Sequence, residues 1–322
     1  MHNKNTTDPL ISRLRRVAEH SPDLASAARL YGAVLPLLRG ADLDAAPIPL
    51  TRDQMEDKLH RGIPLLQDVD LDIDVEAARA LMIKLADAVA CTKGTRSGFL
   101  QSLLRTWHPG EDHEAALRIK KALEERVLDA GHLVALVAAG EHAAVSAAAT
   151  EHGFDPELVL ALAQFTLKPA LHAWSSHLPP LPVAWHKSAC FVCGAPAMLA
   201  ELQGNDQVRH MRCGACGSDW QSRRLQCAQC GNEDHRTQHY VYGERGRDTM
   251  RVEVCDVCKG YIKVIASFSP EPSEMLPIVD LETRHLDRIA QQHGYIRPAA
   301  AIPAEGPPMA AVTDRAGDIS LD

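Results

Sequence analysis

Four copies of one short motif decide how the C-terminal half of this chain folds: Cys190-Phe-Val-Cys193, Cys213-Gly-Ala-Cys216, Cys227-Ala-Gln-Cys230 and Cys255-Asp-Val-Cys258. We call these units knuckles one to four. Two intervening residues let a tight turn aim both sulfurs at one point, and two knuckles together complete the tetrahedral thiolate shell that zinc or iron accepts. The eight cysteines therefore predict two metal ions per chain.

The spacing of the knuckles favours their pairing in sequence order. Nineteen residues separate knuckles one and two and 24 separate three and four, which is close to the spacing of ribbon-type metal sites. The crossed pairing, one with four and two with three, stays open. Gly194, Gly217 and Gly231 directly follow the first three knuckles, and Gly260 lies two residues after the fourth. Glycine accepts positive φ and lets backbone N–H groups approach the sulfurs.

The distribution of cysteines argues against disulfide chemistry. Eight of the nine fall within 69 residues, whereas a disulfide-stapled secreted domain is short and spreads its cysteines along the chain. A thioredoxin-like enzyme uses one Cys-x-x-Cys at a helix start, which does not fit four Gly-flanked copies. The ninth, Cys91, is expected to be a buried small hydrophobe and not a ligand.

The charge of such sites needs compensation, because four thiolates leave −2 on a divalent ion and −1 on a ferric ion. Arginines close to knuckles two and three are candidates for this role, with ordinary solvated side chains as the alternative: Arg209, Arg212, Arg223 and Arg224. Four histidines lie close to the knuckles in sequence: His186, His210, His235 and His239. We expect them to be surface residues, and hydrogen bonding to the cysteine ligands is the alternative.

The sequence contains no recognisable candidate for a catalytic residue. A shell of four cysteines is closed, whereas Lewis-acid hydrolysis requires an open position for water or substrate. The chain also carries no Walker loop, no His-Glu-x-x-His and no Gly-x-Ser-x-Gly. We therefore predict a protein that is not an enzyme.

Composition bears on whether the protein binds nucleic acid, is secreted or inserts into a membrane. A formal net charge of −8 and an aromatic content of 4% argue against a nucleic-acid partner, which usually meets basic patches and stacking platforms. Because the first residues, Met1 to Leu10, are polar, we expect no secretory signal. Since no uninterrupted apolar run reaches the roughly 18 residues that a spanning helix needs, we expect no membrane insertion and a cytoplasmic location.

Apolar spacing upstream of the knuckles predicts an irregular bundle of about six or seven helices. Ser21-Pro22, Asp74 and Asp155 are expected to begin helices as caps. Two further helices are expected at Phe99 to Trp107 and Glu114 to Leu128, and Pro169 is expected to disrupt the run from Glu157 to Lys168.

The fold class predicted is α+β, in four parts. A helical domain covers residues 1–178, and tandem four-cysteine modules cover 179–270, the first at about 186–226 and the second at about 227–266. The modules are expected to be small and rubredoxin- or zinc-ribbon-like, with short strands at Tyr240–Tyr242 and Tyr261–Ile265. A C-terminal helix lies within 271–297, at roughly Met275 to Gln292, and the Ala/Pro-rich tail 298–322 is expected to be disordered.

Residues around the cysteines carry a more specific signal, because they resemble the formate dehydrogenase accessory protein family, FdhE. The resemblance covers roughly residues 10 to 297 and is specific only in the C-terminal half. It rests on Cys190-Phe-Val-Cys-Gly194 with Pro196, Arg209-His-Met-Arg-Cys-Gly-Ala-Cys216, Trp220 with Arg224 and Cys227, Glu253-Val-Cys-Asp-Val-Cys-Lys-Gly-Tyr-Ile-Lys263, His293-Gly-Tyr-Ile-Arg297 and, less specifically, Gly62-Ile-Pro-Leu-Leu66.

The resemblance implies a cytoplasmic, non-catalytic factor needed for active respiratory formate dehydrogenase. It also implies rubredoxin-like modules with iron on the eight cysteines, zinc being the alternative, and contact with the enzyme's molybdenum- or tungsten-containing catalytic subunit. Two other functions remain open from the residues alone. One is a zinc-ribbon module that binds nucleic acid or a transcription complex, and the other is a rubredoxin-like electron carrier.

Overall fold

The computed structural model describes residues 8–43, 45–92, 112–181, 183–243 and 249–297. Up to Ser176 the described elements are helical: α1 (Pro9–His20), α2 (Ala25–Arg39), α3 (Arg52–His60), α4 (Val75–Cys91), α5 (Asp112–Glu124), α6 (Ala130–Ala138), α7 (His142–Glu151) and α8 (Pro156–Ser176). The helix predicted at Phe99 to Trp107 and the tail 298–322 lie outside the described residues.

Helix starts follow the predicted caps in two of three cases. The Asp74 carboxylate accepts a hydrogen bond from the Ala77 N–H at 2.9 Å, and the Asp155 carboxylate accepts from Glu157 and Leu158. The third prediction is wrong for the side chain only: helical structure begins at Pro22 directly after Ser21, but the Ser21 hydroxyl makes no cap hydrogen bond, and Pro22–Leu24 form a 3₁₀ turn before α2. A satisfied cap supplies one of the partners that the first N–H groups of a helix lack.

The prediction that Pro169 disrupts its helix is also wrong, since α8 continues to Ser176. A proline removes one backbone donor and crowds the preceding turn. Buried side chains lie on both sides of it, including Leu167, Ala170 and Trp174. Packing of that face against the bundle holds the helix together, because tertiary contacts supply most helical stability in proteins.

One six-stranded sheet follows the helices. Its strands are β1 (Ala197–Gln203), β2 (Val208–Cys213), β3 (Asp219–Gln221), β4 (Gln238–Val241), β5 (Met250–Cys255) and β6 (Tyr261–Ser267), in the spatial order β3-β2-β1-β6-β5-β4. Neighbours are antiparallel except for the central pair, in which β1 and β6 run parallel. The strand sets that flank the two pairs of knuckles therefore share a single sheet.

The predicted C-terminal helix is two helices, α9 (Leu276–Glu282) and α10 (Arg284–Gln292). The break falls at Thr283, whose hydroxyl donates to the Val279 carbonyl at 2.8 Å. A threonine that bonds back to the preceding turn offers the backbone an alternative to a straight helix. Both helices pack on the sheet, where Leu286 and Ala290 of α10 join Val252 and Val254 of β5 in a small core.

A buried ion cluster fastens these helices to β6. The Lys263 ammonium lies 2.8 Å from Asp280 of α9 and 2.7 Å from Asp287 of α10. Arg297 adds a second cation at 2.8 Å from Asp280, and the Tyr261 hydroxyl donates to Asp287 at 2.8 Å. Two cations thus face two carboxylates, which is the condition under which charges can be buried.

One hydrophobic core joins the helices to the sheet. It includes Leu85 and Trp174 from the bundle together with Ala200 and Ile262 from the strands. The cysteines of the first two knuckles belong to the same core, among them Cys190 and Cys213. Among the described residues, no helix has the length and apolar character needed to cross a membrane.

Removal of the central cation tests the ion cluster. We expect Lys263→Met to lower the free energy of unfolding by about 3–5 kcal/mol, because two carboxylates lose a buried partner. The matched control is Lys120→Met at the more exposed Lys120–Asp87 pair, for which a loss of about 0–1 kcal/mol is expected. Urea unfolding followed by tryptophan fluorescence measures both, and equal losses for the two variants would contradict the assignment.

Candidate metal centres

The structure brings the cysteines together in the sequential pairing. In the first cluster the Cys190 and Cys216 sulfurs lie 3.5 Å apart, as do those of Cys193 and Cys213. All four ligand atoms lie within 4.8 Å of one another. Sulfurs on a tetrahedral ion with bonds of about 2.3 Å stand about 3.8 Å apart, so the cluster has the size of a metal shell.

The second cluster has the same form. Its Cys227 and Cys258 sulfurs are 3.7 Å apart, and those of Cys230 and Cys255 are 3.9 Å apart. In each cluster one knuckle precedes a strand and the other links an antiparallel pair, β2 with β3 or β5 with β6. The two clusters could therefore hold two metal ions, and their all-sulfur donor sets suit either zinc or iron.

Backbone geometry explains the residue that follows each knuckle. The Gly194, Gly217 and Gly231 amides each donate to the carbonyl of the first cysteine in the preceding knuckle, at 2.9–3.1 Å. Their φ angles are 74°, 77° and 73°, in the left-handed region that glycine adopts freely. Lys259 occupies the same position after knuckle four with a φ of 53°, and Gly260 donates its N–H to the Cys258 sulfur at 3.3 Å.

Backbone N–H groups also point at the sulfurs. Val192 donates to Cys190, Cys216 to Cys213 and Gln229 to Cys227, each at 3.4 Å. Such donors disperse the negative charge of a thiolate, so the knuckle turns prepare the sulfurs for ionisation.

Each cluster contains thiols that ionise before their neighbours. Hydrogen bonds with the other cysteines of the cluster hold the pKa of Cys213 well below its ordinary value, and the bond with Cys190 contributes most. In the second cluster, hydrogen bonds led by Cys227 likewise hold down the pKa of Cys255 and lower that of Cys230 to about 7. Burial raises the pKa of Cys190. A metal ion must displace the remaining protons, so occupancy is expected to fall as the pH falls.

In the described part of the chain, the contacts of the four candidate arginines are with carboxylates, carbonyls and a hydroxyl and not with the cysteine sulfurs. Arg209 and Arg212 are buried, at 2% and 4% exposure, and their charge is taken up by Glu253, at 2.8 Å, and Glu201. Arg209 thereby links β2 to β5. Arg223 pairs with Glu233 on the surface, and Arg224 donates to the Gln207 carbonyl.

The histidines behave as surface residues. His210 pairs with Asp219 and His239 with Asp256, the latter pair at 2.9 Å, while His186 and His235 are exposed.

The predicted burial of Cys91 is wrong, because that residue is exposed at the end of α4, with its sulfur 3.9 Å from an Asp87 oxygen. It lies on the outer face of a helix whose stripe at Leu81, Leu85 and Ala86 faces the core.

Sequence reasoning missed the contacts that α8 makes with the first cluster. The Ser175 and Ser218 hydroxyls lie 2.9 Å apart, and the Ser218 hydroxyl lies 2.8 Å from the Cys216 sulfur. The His172 ring abuts Gly217, where an added Cβ would stand 2.8 Å from the ring Cε1. The available signal was the pair of polar residues His172 and Ser175, three positions apart and so on one side of the helix.

Alanine substitution at two glycines with similar φ angles distinguishes backbone strain from crowding of the new side chain. Gly204→Ala, at φ 68° with nothing within 4 Å of the new Cβ, is expected to cost about 1–2 kcal/mol of unfolding free energy through its left-handed conformation. For Gly217→Ala we expect an additional loss of about 1–3 kcal/mol from the contacts with His172 and Ser273. Urea unfolding measures the stability of the two variants, and metal analysis measures their metal content. Equal stability and equal metal content would show that α8 does not constrain the first cluster.

Comparison with known proteins identifies relatives of this chain. No protein-family model matches the chain. An FdhE homolog of Aquifex aeolicus (strain VF5) is 26% identical over 151 residues, which cover 46% of this chain and 52% of the relative. The FdhE homolog of Stutzerimonas stutzeri (strain A1501) is 29% identical over 116 residues, 35% of this chain and 37% of the relative. FdhE of Escherichia coli O127:H6 is 31% identical over 110 residues, 34% and 35% of the two chains.

The matched segments therefore span about half or less of these relatives' own length. A crystal structure of the FdhE protein from Pseudomonas aeruginosa shares the fold more widely, with a TM-score of 0.54 over 90% of this chain and 92% of that one, at 20% identity. The chain is thus similar in sequence to proteins named FdhE over part of its length, and it shares its fold with an FdhE crystal structure.

Proposed function

We propose that this protein is a non-catalytic accessory factor required for active respiratory formate dehydrogenase. The observation that carries the proposal is the pair of closed four-cysteine clusters in one sheet, in a chain similar to proteins named FdhE. Four sulfurs around one point leave no position for substrate, so the clusters suit a structural or electron-carrying role and not hydrolysis.

Eight cysteines are the proposed metal ligands, with iron favoured and zinc as the alternative: Cys190, Cys193, Cys213, Cys216, Cys227, Cys230, Cys255 and Cys258. When bound, either ion supplies the positive charge that holds four thiolates together, and iron adds a one-electron couple. The residues of the chain position the sulfurs through the knuckle turns and direct N–H groups at them.

The proposed partner is the molybdenum- or tungsten-containing catalytic subunit of formate dehydrogenase, met in the cytoplasm. We also propose the division into a helical domain at residues 1–178, metal modules at 179–270 and a C-terminal segment at 271–297. The last described helix of the bundle ends at Ser176 and the first strand begins at Ala197, which supports a boundary between them.

Metal analysis tests the ligand assignment. We expect anaerobically purified protein to contain two iron atoms per chain, and Cys213→Ser and Cys227→Ser each to retain one, because each variant breaks one shell. Cys91→Ser is the matched control, since Cys91 lies outside both clusters, and it should retain two. One ion in the parent protein, or unchanged content in the two ligand variants, would contradict the assignment.

Gene deletion tests the accessory role. Loss of the protein is expected to abolish formate dehydrogenase activity in cells without a paralogue, and restoration of the full chain should return it. A pull-down with the catalytic subunit as bait tests direct contact. Undiminished activity after deletion would overturn the proposed function whatever metal the protein carries.

A further inference from the structure

The first cluster is enclosed by the rest of the molecule, whereas the second reaches its surface. Cys190, Cys213 and Cys216 are at most 1% exposed and lie in the main core with the helices. In the second cluster, Cys230 and Cys258 are partly exposed. Water therefore has little access to three of the four sulfurs in the first cluster, and their hydrogen-bond partners come from the chain itself.

Two serines connect the first cluster to α8. The Ser218 hydroxyl lies 2.8 Å from the Cys216 sulfur, and Ser218 is only 6% exposed. The Ser175 hydroxyl of α8 lies 2.9 Å from the Ser218 hydroxyl. The three polar atoms form a chain of hydrogen bonds from the helical bundle to one of the proposed metal ligands.

The second cluster has a longer contact with a different donor. The Asn232 side-chain nitrogen lies 3.8 Å from the Cys255 sulfur and also donates to the Thr237 hydroxyl at 2.7 Å. The amide is thus shared between two acceptors, whereas Ser218 has its Cys216 contact at close range. The two clusters therefore differ in the side chains that approach their sulfurs.

The direction of the serine hydrogen bonds follows from the chemistry of the ligand. A cysteine that binds a metal ion is a thiolate, which has no proton and can only accept. In the loaded site Ser218 therefore donates its one hydroxyl proton to Cys216, and Ser175 donates to the Ser218 oxygen. Hydrogen bonds to an ionised acceptor are stronger than those between neutral groups, and each donor in a chain strengthens the next.

We propose that Ser218 and Ser175 are positioning residues that raise the reduction potential of the first metal site when it holds iron. One electron from an external reductant changes the charge of a tetrathiolate iron site from −1 to −2, and no proton moves and no bond breaks. A donor directed at a sulfur stabilises the more negative state more strongly, so the two hydroxyls favour reduction. Burial of the cluster strengthens this interaction, because little solvent screens it.

The potential of the first site then depends on the packing of α8, which places Ser175 beside Ser218. This inference rests on the proposed binding of iron by the eight cysteines, but not on the identity of the partner enzyme.

Anaerobic redox titration of the iron-loaded, full-length protein tests the inference, with the sulfur-to-iron charge-transfer absorption as the readout. The one-electron step that Cys213→Ser loses belongs to the first site, and the step that Cys227→Ser loses belongs to the second. Ser218→Ala should lower the potential of the first step by about 59 mV, which is a tenfold change in the equilibrium constant of a one-electron couple. The second step should stay unchanged.

Two further variants separate the hydroxyls from the fold around them. Ser175→Ala, which leaves the knuckle intact, should shift the first step in the same direction by a smaller amount. Ser218→Thr keeps the hydroxyl and should restore the potential. If Ser218→Ala does not retain iron in the first site, the shift in Ser175→Ala decides the question.

The matched control is Ser188→Ala, because the Ser188 hydroxyl donates to the Gln229 carbonyl at 3.0 Å. It should leave both potentials unchanged. An unchanged first step in Ser218→Ala or in Ser175→Ala would overturn the proposal, and so would equal shifts of both steps, because that pattern reports loosening of the whole fold. A parent protein that takes up no iron would instead overturn the iron sites of the proposed function.

Discussion

Four sulfurs that converge on one point form the constraint on which the rest of this structure depends. Thiolates at the 3.5–3.9 Å separations seen here repel one another unless a cation lies between them. The chain meets this constraint twice with the same local device, a knuckle turn closed by a residue in the left-handed region. Each cluster then fixes the start of one strand and the end of an antiparallel pair.

The two four-cysteine clusters are structurally connected, because their strands form a single sheet. The parallel pairing of Ala200–Gln203 with Val264–Ser267 joins the two halves, and Arg209 bridges them again through Glu253. Lys263 extends the connection to both C-terminal helices. Loss of either ion would therefore be felt beyond its own cluster, and any cysteine variant needs a folding control.

Local features of this protein were predictable from its sequence, whereas long-range ones were not. The knuckles, their sequential pairing and the caps at Asp74 and Asp155 depend on residues close together in the chain. The pairing of β1 with β6 joins residues more than 60 positions apart, and no local pattern encodes it. The helix continues through Pro169 for a related reason, since contacts with the bundle outweigh a local helix breaker.

The surroundings of the candidate metal sites were likewise not predictable from residues close together in the chain. The eight cysteines could be named from spacing, but sequence proximity pointed to Arg209 and Arg212 as counter-charges, and both are paired with carboxylates. The contacts of His172 and Ser175 of α8 with the turn after knuckle two join residues more than 40 positions apart, and spacing within the knuckles gives no sign of them.

X-ray absorption spectroscopy of the metal-loaded protein tests the central claim most directly, because it counts the atoms bound to the ion. The account predicts four sulfur scatterers at about 2.3 Å and no nitrogen or oxygen in the inner shell. A shell with two or three sulfurs completed by nitrogen or oxygen would contradict closed tetrathiolate centres.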